Sequence, residues 1–179
     1  MSTRALRDMA IGGSIATFGD LLCQTFVEER GVAALDLRRT AEMAAVRAFL
    51  MTPFLTWYFP FLSRTIPGQS WARVIARVCV DQSIAAPLTI AATFTATSAL
   101  RGKLGDAPAR IETQLLPTWR NSASFWPIVH LFNFRYVPPT LQPLVAHFVS
   151  VPWNAVLSYR ANASLAPPQE AVAAVSLEA

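Results

Sequence analysis

The chain has 179 residues, 53% of them apolar and only 15% Asp, Glu, Lys or Arg, where a soluble domain carries roughly 25% charge. That balance excludes a water-solvated globule and an intrinsically disordered chain, and with a mean hydropathy of +0.36 it points to a small integral membrane protein. The net charge of +4 is almost wholly arginine, Lys103 being the single lysine; on so apolar a chain these cations flank membrane segments rather than mark a nucleic-acid surface.

A helix needs about 20 mostly apolar residues to cross a bilayer. The first candidate covers residues 9–27 and is interrupted by Asp20. The second, 48–63, is slightly short and extends back over 41–46 with Arg47 facing other helices or snorkelling. Residues 82–100 and 136–159 carry no Asp, Glu, Lys or Arg and supply the third and fourth. Between these two, 110–135 is aromatic, amphipathic and proline-marked, and reads as an interfacial helix leading into a half-buried or re-entrant one.

The expected fold is therefore all-α: a bundle of four transmembrane helices plus an amphipathic or re-entrant helix before the last span. It forms a single domain over 1–160, followed by a polar, proline-containing tail over 161–179. Pro53, Pro60, Pro87, Pro127, Pro138, Pro139, Pro143 and Pro152 lie within or beside apolar segments, so the helices should be kinked. Trp57, Tyr58 and Phe59, with Trp71, Trp119, Trp126 and Trp153 near segment ends, fit interfacial belts. The flanking cations divide six against seven between the two sides, which leaves orientation open.

Polar residues within such segments are costly and mark either function or interhelical glue. Gly12, Ala16, Asp20 and Gln24 recur every four residues on one face, a small-residue stripe ending in two polar groups, with Arg47 as the expected counter-ion of Asp20. Arg77 and Asp81 are spaced to pair along their own helix, beside Gln82 and Pro87. Trp126, His130, Asn133 and Val137 share a face that must meet protein, water or headgroups. Asp20, Gln24, Arg47, Asp81, Gln82, His130 and Asn133 are thus the candidate lining or interhelical contacts.

No chemistry-bearing motif accompanies them. His130 and His147 have no ligand-spaced companions, and Cys23 and Cys79 read as two buried small hydrophobes. Nucleophile elbow, phosphate loop, dinucleotide fingerprint and zinc-protease motif are all missing, so the expectation is a non-enzyme without metal or cofactor.

Late in the chain, Trp126-Pro127, Asn133-Phe134, Val137-Pro138, Trp153-Asn154 and Leu157-Ser158 fall in a fixed register. Gly19-Asp20 with Gln24, Asp36 with Arg39-Thr40, Pro53, Trp57-Tyr58 and Asp81-Gln82 with Pro87 precede them. Over about residues 12–160 this pattern resembles the family typified by the Mpv-seventeen protein and the twenty-two-kilodalton peroxisomal membrane protein. The family's Gln is His130 here, its Arg after Val-Pro is Gln142, and its Gly before the first matched proline is Thr52. The resemblance implies a four-span organellar protein, in the mitochondrial inner membrane or alternatively the peroxisomal membrane, whose relatives are described as weakly selective small-solute channels linked to mitochondrial homeostasis. The alternative is a non-catalytic accessory subunit of a larger membrane complex. Expected partners are lipids and other membrane subunits or further copies of the chain, not nucleic acid.

Overall fold

In the computed structural model, which describes residues 3–163, the chain folds into five long helices. The first, α1 (3–27), is α-helical over Thr3–Leu22 and opens into a π-helical turn over Cys23–Val27. Helix α2 (37–65) combines Leu37–Val46, a π turn at Arg47–Met51 and Thr52–Thr65. Helix α3 (71–100) repeats the scheme with Trp71–Val80, a π turn at Asp81–Ala85 and Ala86–Leu100. The last two are α4 (Ala107–Tyr136) and α5 (Gln142–Ala163).

The two inner π turns have a common sequence cause. Arg47 and Asp81 each stand six residues before a proline, Pro53 and Pro87. Proline has no N–H for the carbonyl four residues back and its ring crowds that carbonyl, so the preceding turn widens. The N–H of Thr52 then returns to the Arg47 carbonyl, and that of Ala86 to the Asp81 carbonyl. Wide turns thus fall where two charged side chains enter the bundle.

The segment expected as an interfacial helix followed by a second, re-entrant one is a single unbroken helix, α4. Pro117 and Pro127 lie inside it without ending it, because packing against α3 and α5 supports the interrupted ladder. Thr118, Ser122, Trp126, His130, Asn133 and Phe134 are buried along one face, whereas Leu116, Ile128 and Phe132 point outward. The helix stops at Tyr136, ahead of Pro138-Pro139, and α5 begins only at Gln142, six residues later than the apolar run suggested.

Helix α1 packs on α2 and α5, α5 on α4, α4 on α3, and α3 returns to the Leu37–Val46 part of α2. The close approach of α1 to α5 depends on Gly19, where a Cβ would sit 2.6 Å from Asn154 Cβ and 3.1 Å from the Val151 carbonyl oxygen. A Cβ on Gly12 would collide with Thr52 Oγ1, so the small-residue stripe does face a neighbour.

Polarity is inverted relative to a soluble protein: Phe18, Phe49, Trp57, Ile84, Leu88, Ile128 and Phe148 are exposed, while Asp20, Gln24, Arg39, Arg77, Asn133 and Gln142 are buried. Two segments, Ala5–Val27 and Trp71–Leu100, are long and apolar enough to cross a membrane. Trp57 and Trp71 lie at the surface as belt residues would, but Trp126 and Trp153 are inside the bundle. Cys23 is buried as expected and Cys79 is not. Residues 164–179 of the expected tail lie outside the described residues.

Candidate functional site: the polar interior of the bundle

The seven candidate polar residues do not form one lining. They separate into an ion network at one end of α1, a central cavity, and a seal between α4 and α5.

The network forms where α1 ends and α2 begins. Asp36 caps α2 by accepting the Arg39 N–H at 2.9 Å. That cap turns Arg39 and Thr40 toward α1. Asp20 receives Arg39 Nε at 2.9 Å, Thr40 Oγ1 at 2.6 Å, Gln24 Nε2 at 2.8 Å and the Ser158 hydroxyl from α5. The Arg39 guanidinium also reaches Glu28 at 2.7 Å and Ser158 at 3.0 Å, and Gln24 Oε1 accepts the Asp36 N–H at 2.6 Å. Arg39, not Arg47, is therefore the counter-ion of Asp20. The reason is geometric: Asp20 stands near the end of α1, level with the start of α2, and Arg47 lies two turns further along.

Arg47 instead meets α5. Its Nη2 bonds His147 Nδ1 at 3.0 Å and Ser150 Oγ at 3.0 Å, and Asn154 Nδ2 donates to the same Ser150 oxygen at 3.2 Å. Because arginine only donates, the His147 proton belongs on Nε2. Arg47 is 7% exposed, its Nε has no partner, and among the described residues no carboxylate lies within ion-pair distance of it.

Asp81 enters from α3. His130 Nε2 lies 3.3 Å from its Oδ2, and Gln82 Nε2 donates to that oxygen at 2.8 Å. His130 is held in a column along α4, stacked on Trp126 and Phe134 with centroids 5.0 Å away on each side, and meets the edge of Phe59 from α2. Trp119 pins α4 to the α3 wide turn by donating to the Gln82 carbonyl at 2.7 Å. Arg77 does not pair with Asp81. The free carbonyls at the end of α2 lie nearer, and it donates to those of Ile66 and Gly68 at 2.7 and 2.6 Å.

Arg47, Asp81, Gln82 and His130 line one partly open cavity of about 80 Å³ between α2, α3, α4 and α5. Its remaining walls include Met51, Phe59, Ser122, Trp126, Trp153 and Asn154. Asp20 and Gln24 lie away from it, and so does Asn133. Asn133 Nδ2 donates to the Gln142 carbonyl at 3.1 Å, while Gln142 Nε2 donates to the Val137 carbonyl at 2.9 Å, closing the α4–α5 turn. Gln142 is fully buried and helps to seal this turn.

Sequence reasoning missed His147 and Ser150, for which only α5 packing gives the role. It registered Arg39, Asn154 and Ser158 as landmarks without pairing them. The charge-to-proline interval shared by Arg47 and Asp81 was the available signal for the cavity.

Comparison with known proteins identifies the family. The model of the Mpv17 / PMP22 family matches residues 98–158. Protein sym1 of Aspergillus oryzae is 32% identical over 141 residues, covering 78% of this chain and 80% of that protein. The mitochondrial inner membrane protein Mpv17 of Danio rerio is 28% identical over 151 residues, 84% and 85% of the two chains. PXMP2/4 family protein 1 of Dictyostelium discoideum is 29% identical over 169 residues, 92% and 82% of the two. No solved structure matches. The chain belongs to the Mpv17/PMP22 family, and with relatives named for the mitochondrial inner membrane it is a protein of that membrane.

Proposed function

We infer that the chain is a non-catalytic solute pathway, with four spans, α1, α2, α3 and α5, and with α4 as the amphipathic helix packed among them. The observation that carries this reading is the cavity lined by Arg47, Asp81, Gln82 and His130 from three helices. Buried charges in a membrane segment are expensive, and placing several around an open space suits a passing polar solute better than it suits packing. The cavity serves as a station on the route. Side chains fill the rest of the bundle, so a continuous path requires an opened bundle or several copies of the chain.

The test is reconstitution of the purified chain in planar bilayers and sealed liposomes. Solute-dependent conductance or release that falls on Asp81→Asn supports the pathway. Intact helical content with neither signal removes it. The second reading is an accessory subunit, favoured by the Gln142 seal at a position where the family pattern has a cation. Co-migration with one stoichiometric complex on mild-detergent native gels, with silent bilayers, would select it.

A further inference from the structure

The cavity is lined by side chains of opposite chemistry from different helices. On the α2–α5 side stands Arg47, a buried cation whose partners His147 and Ser150 are neutral acceptors and whose Nε is unpartnered. On α3, Asp81 lines the same cavity beside Gln82, whose Oε1 has no donor. Arg47 offers donors and positive charge, whereas Asp81 and Gln82 offer acceptors. The apolar surfaces of Met51, Phe59, Trp126 and Trp153 belong to the same lining.

A buried charge is stable only when compensated. Arg47 and Asp81 are not in ion-pair contact with one another, since Asp81 is engaged by His130 and Gln82. A simple anion would satisfy Arg47 but bring only acceptors toward the acceptors of Asp81 and Gln82, and a simple cation would do the reverse. A neutral solute would leave Arg47 without a counter-charge. The cavity volume of about 80 Å³ admits a solute of several heavy atoms, given that one water needs about 10–15 Å³ of such space.

We propose that this cavity binds a small zwitterion, with its carboxylate toward Arg47 and its protonated amine toward Asp81 and Gln82. The assignment rests on the solute-pathway reading and names the substrate class of that same site. The two charged ends meet side chains of different helices, and the short carbon chain lies against the two tryptophans. The wide turns that carry Arg47 and Asp81 then act as a matched pair of anchoring points.

The experiment uses the full chain in mild detergent and follows its thermal unfolding against glycine, β-alanine and γ-aminobutyrate, with acetate and methylammonium as single-charge fragments. Binding to the native state raises the unfolding temperature in a saturable way. At least one zwitterion should half-saturate at a concentration about tenfold or more below either fragment, a gap of about 1.4 kcal/mol. Asp81→Asn should close that gap and leave acetate binding in place. Arg47→Gln should abolish carboxylate binding, while Arg47→Lys should retain the zwitterion preference with a shifted optimum of chain length. If Arg47→Gln loses its helical signal, Arg47→Lys decides.

Equal half-saturation by acetate and the zwitterions would overturn the proposal in favour of a plain anion site, and no saturable response to any probe would overturn it outright. Liposome flux separates the two claims. Flux of small solutes without zwitterion preference sinks the substrate class alone, and tight zwitterion binding without flux sinks the pathway alone.

Discussion

The ion network around Asp20 and the cavity around Arg47 and Asp81 are built from the same residue types, yet they differ in how completely those residues are satisfied. Asp20 is fully buried and accepts from four side chains on three helices, and its cation Arg39 is shared with Glu28 and Ser158. Arg47, by contrast, has neutral partners only, and Gln82 Oε1 and His130 Nδ1 have none. A closed network fixes one arrangement of helices. An open one leaves polar groups without partners. Polar residues inside a membrane protein are therefore better sorted by satisfaction than by charge.

The comparison is easiest to break at Asp20. Asp20→Asn leaves Arg39 buried without its main counter-charge, and losing one partner of a buried pair costs about 3–5 kcal/mol. Denaturant unfolding in detergent should show a loss of that size with unchanged reversal potential in whatever protein remains folded. Gly19→Val comes next. Its new Cβ meets Asn154 and the Val151 carbonyl, forcing α1 from α5, and overpacking of this kind costs about 1–3 kcal/mol. Gly12→Ala is the parallel test on the α2 side, where relief depends on Thr52 rotating away.

Trp119→Phe removes the bond to the Gln82 carbonyl while keeping the ring; it should cost about 0.5–1.5 kcal/mol and loosen the α3 wide turn, read as faster amide exchange over residues 81–86. The smallest stability effect belongs to His130→Gln. The amide can donate to Asp81, which His130 Nε2 approaches to 3.3 Å, so unfolding should shift by less than about 1.5 kcal/mol while solute selectivity changes, because the aromatic column Trp126–His130–Phe134 is broken at the cavity wall.

Much of this was legible in the residues. The low charge and four apolar runs gave an all-helical membrane protein, and the four-residue stripe from Gly12 to Gln24 marked the packed face of α1. The pairing of charges was not legible. Asp20 chose Arg39 over Arg47, and Arg77 chose backbone carbonyls over Asp81, because partner choice depends on the level at which helices cross and not on sequence spacing. The unity of α4 was hidden for a similar reason. Pro117 and Pro127 signal breaks in an isolated helix, whereas here neighbouring helices support it. The placement of Trp126 and Trp153 inside the bundle follows from which face of α4 and α5 turns inward, something a lone aromatic near a segment end does not reveal.

The central claim is tested most directly by measuring Asp20→Asn and Asp81→Asn side by side, each for unfolding free energy in detergent and for solute flux in sealed liposomes. The account predicts opposite profiles: a large stability loss with unaltered selectivity per folded molecule for Asp20→Asn, and near-native stability with impaired flux for Asp81→Asn. Matching profiles, with both variants losing stability and flux in proportion, would show that the two regions are one structural core and that the cavity has no separate role.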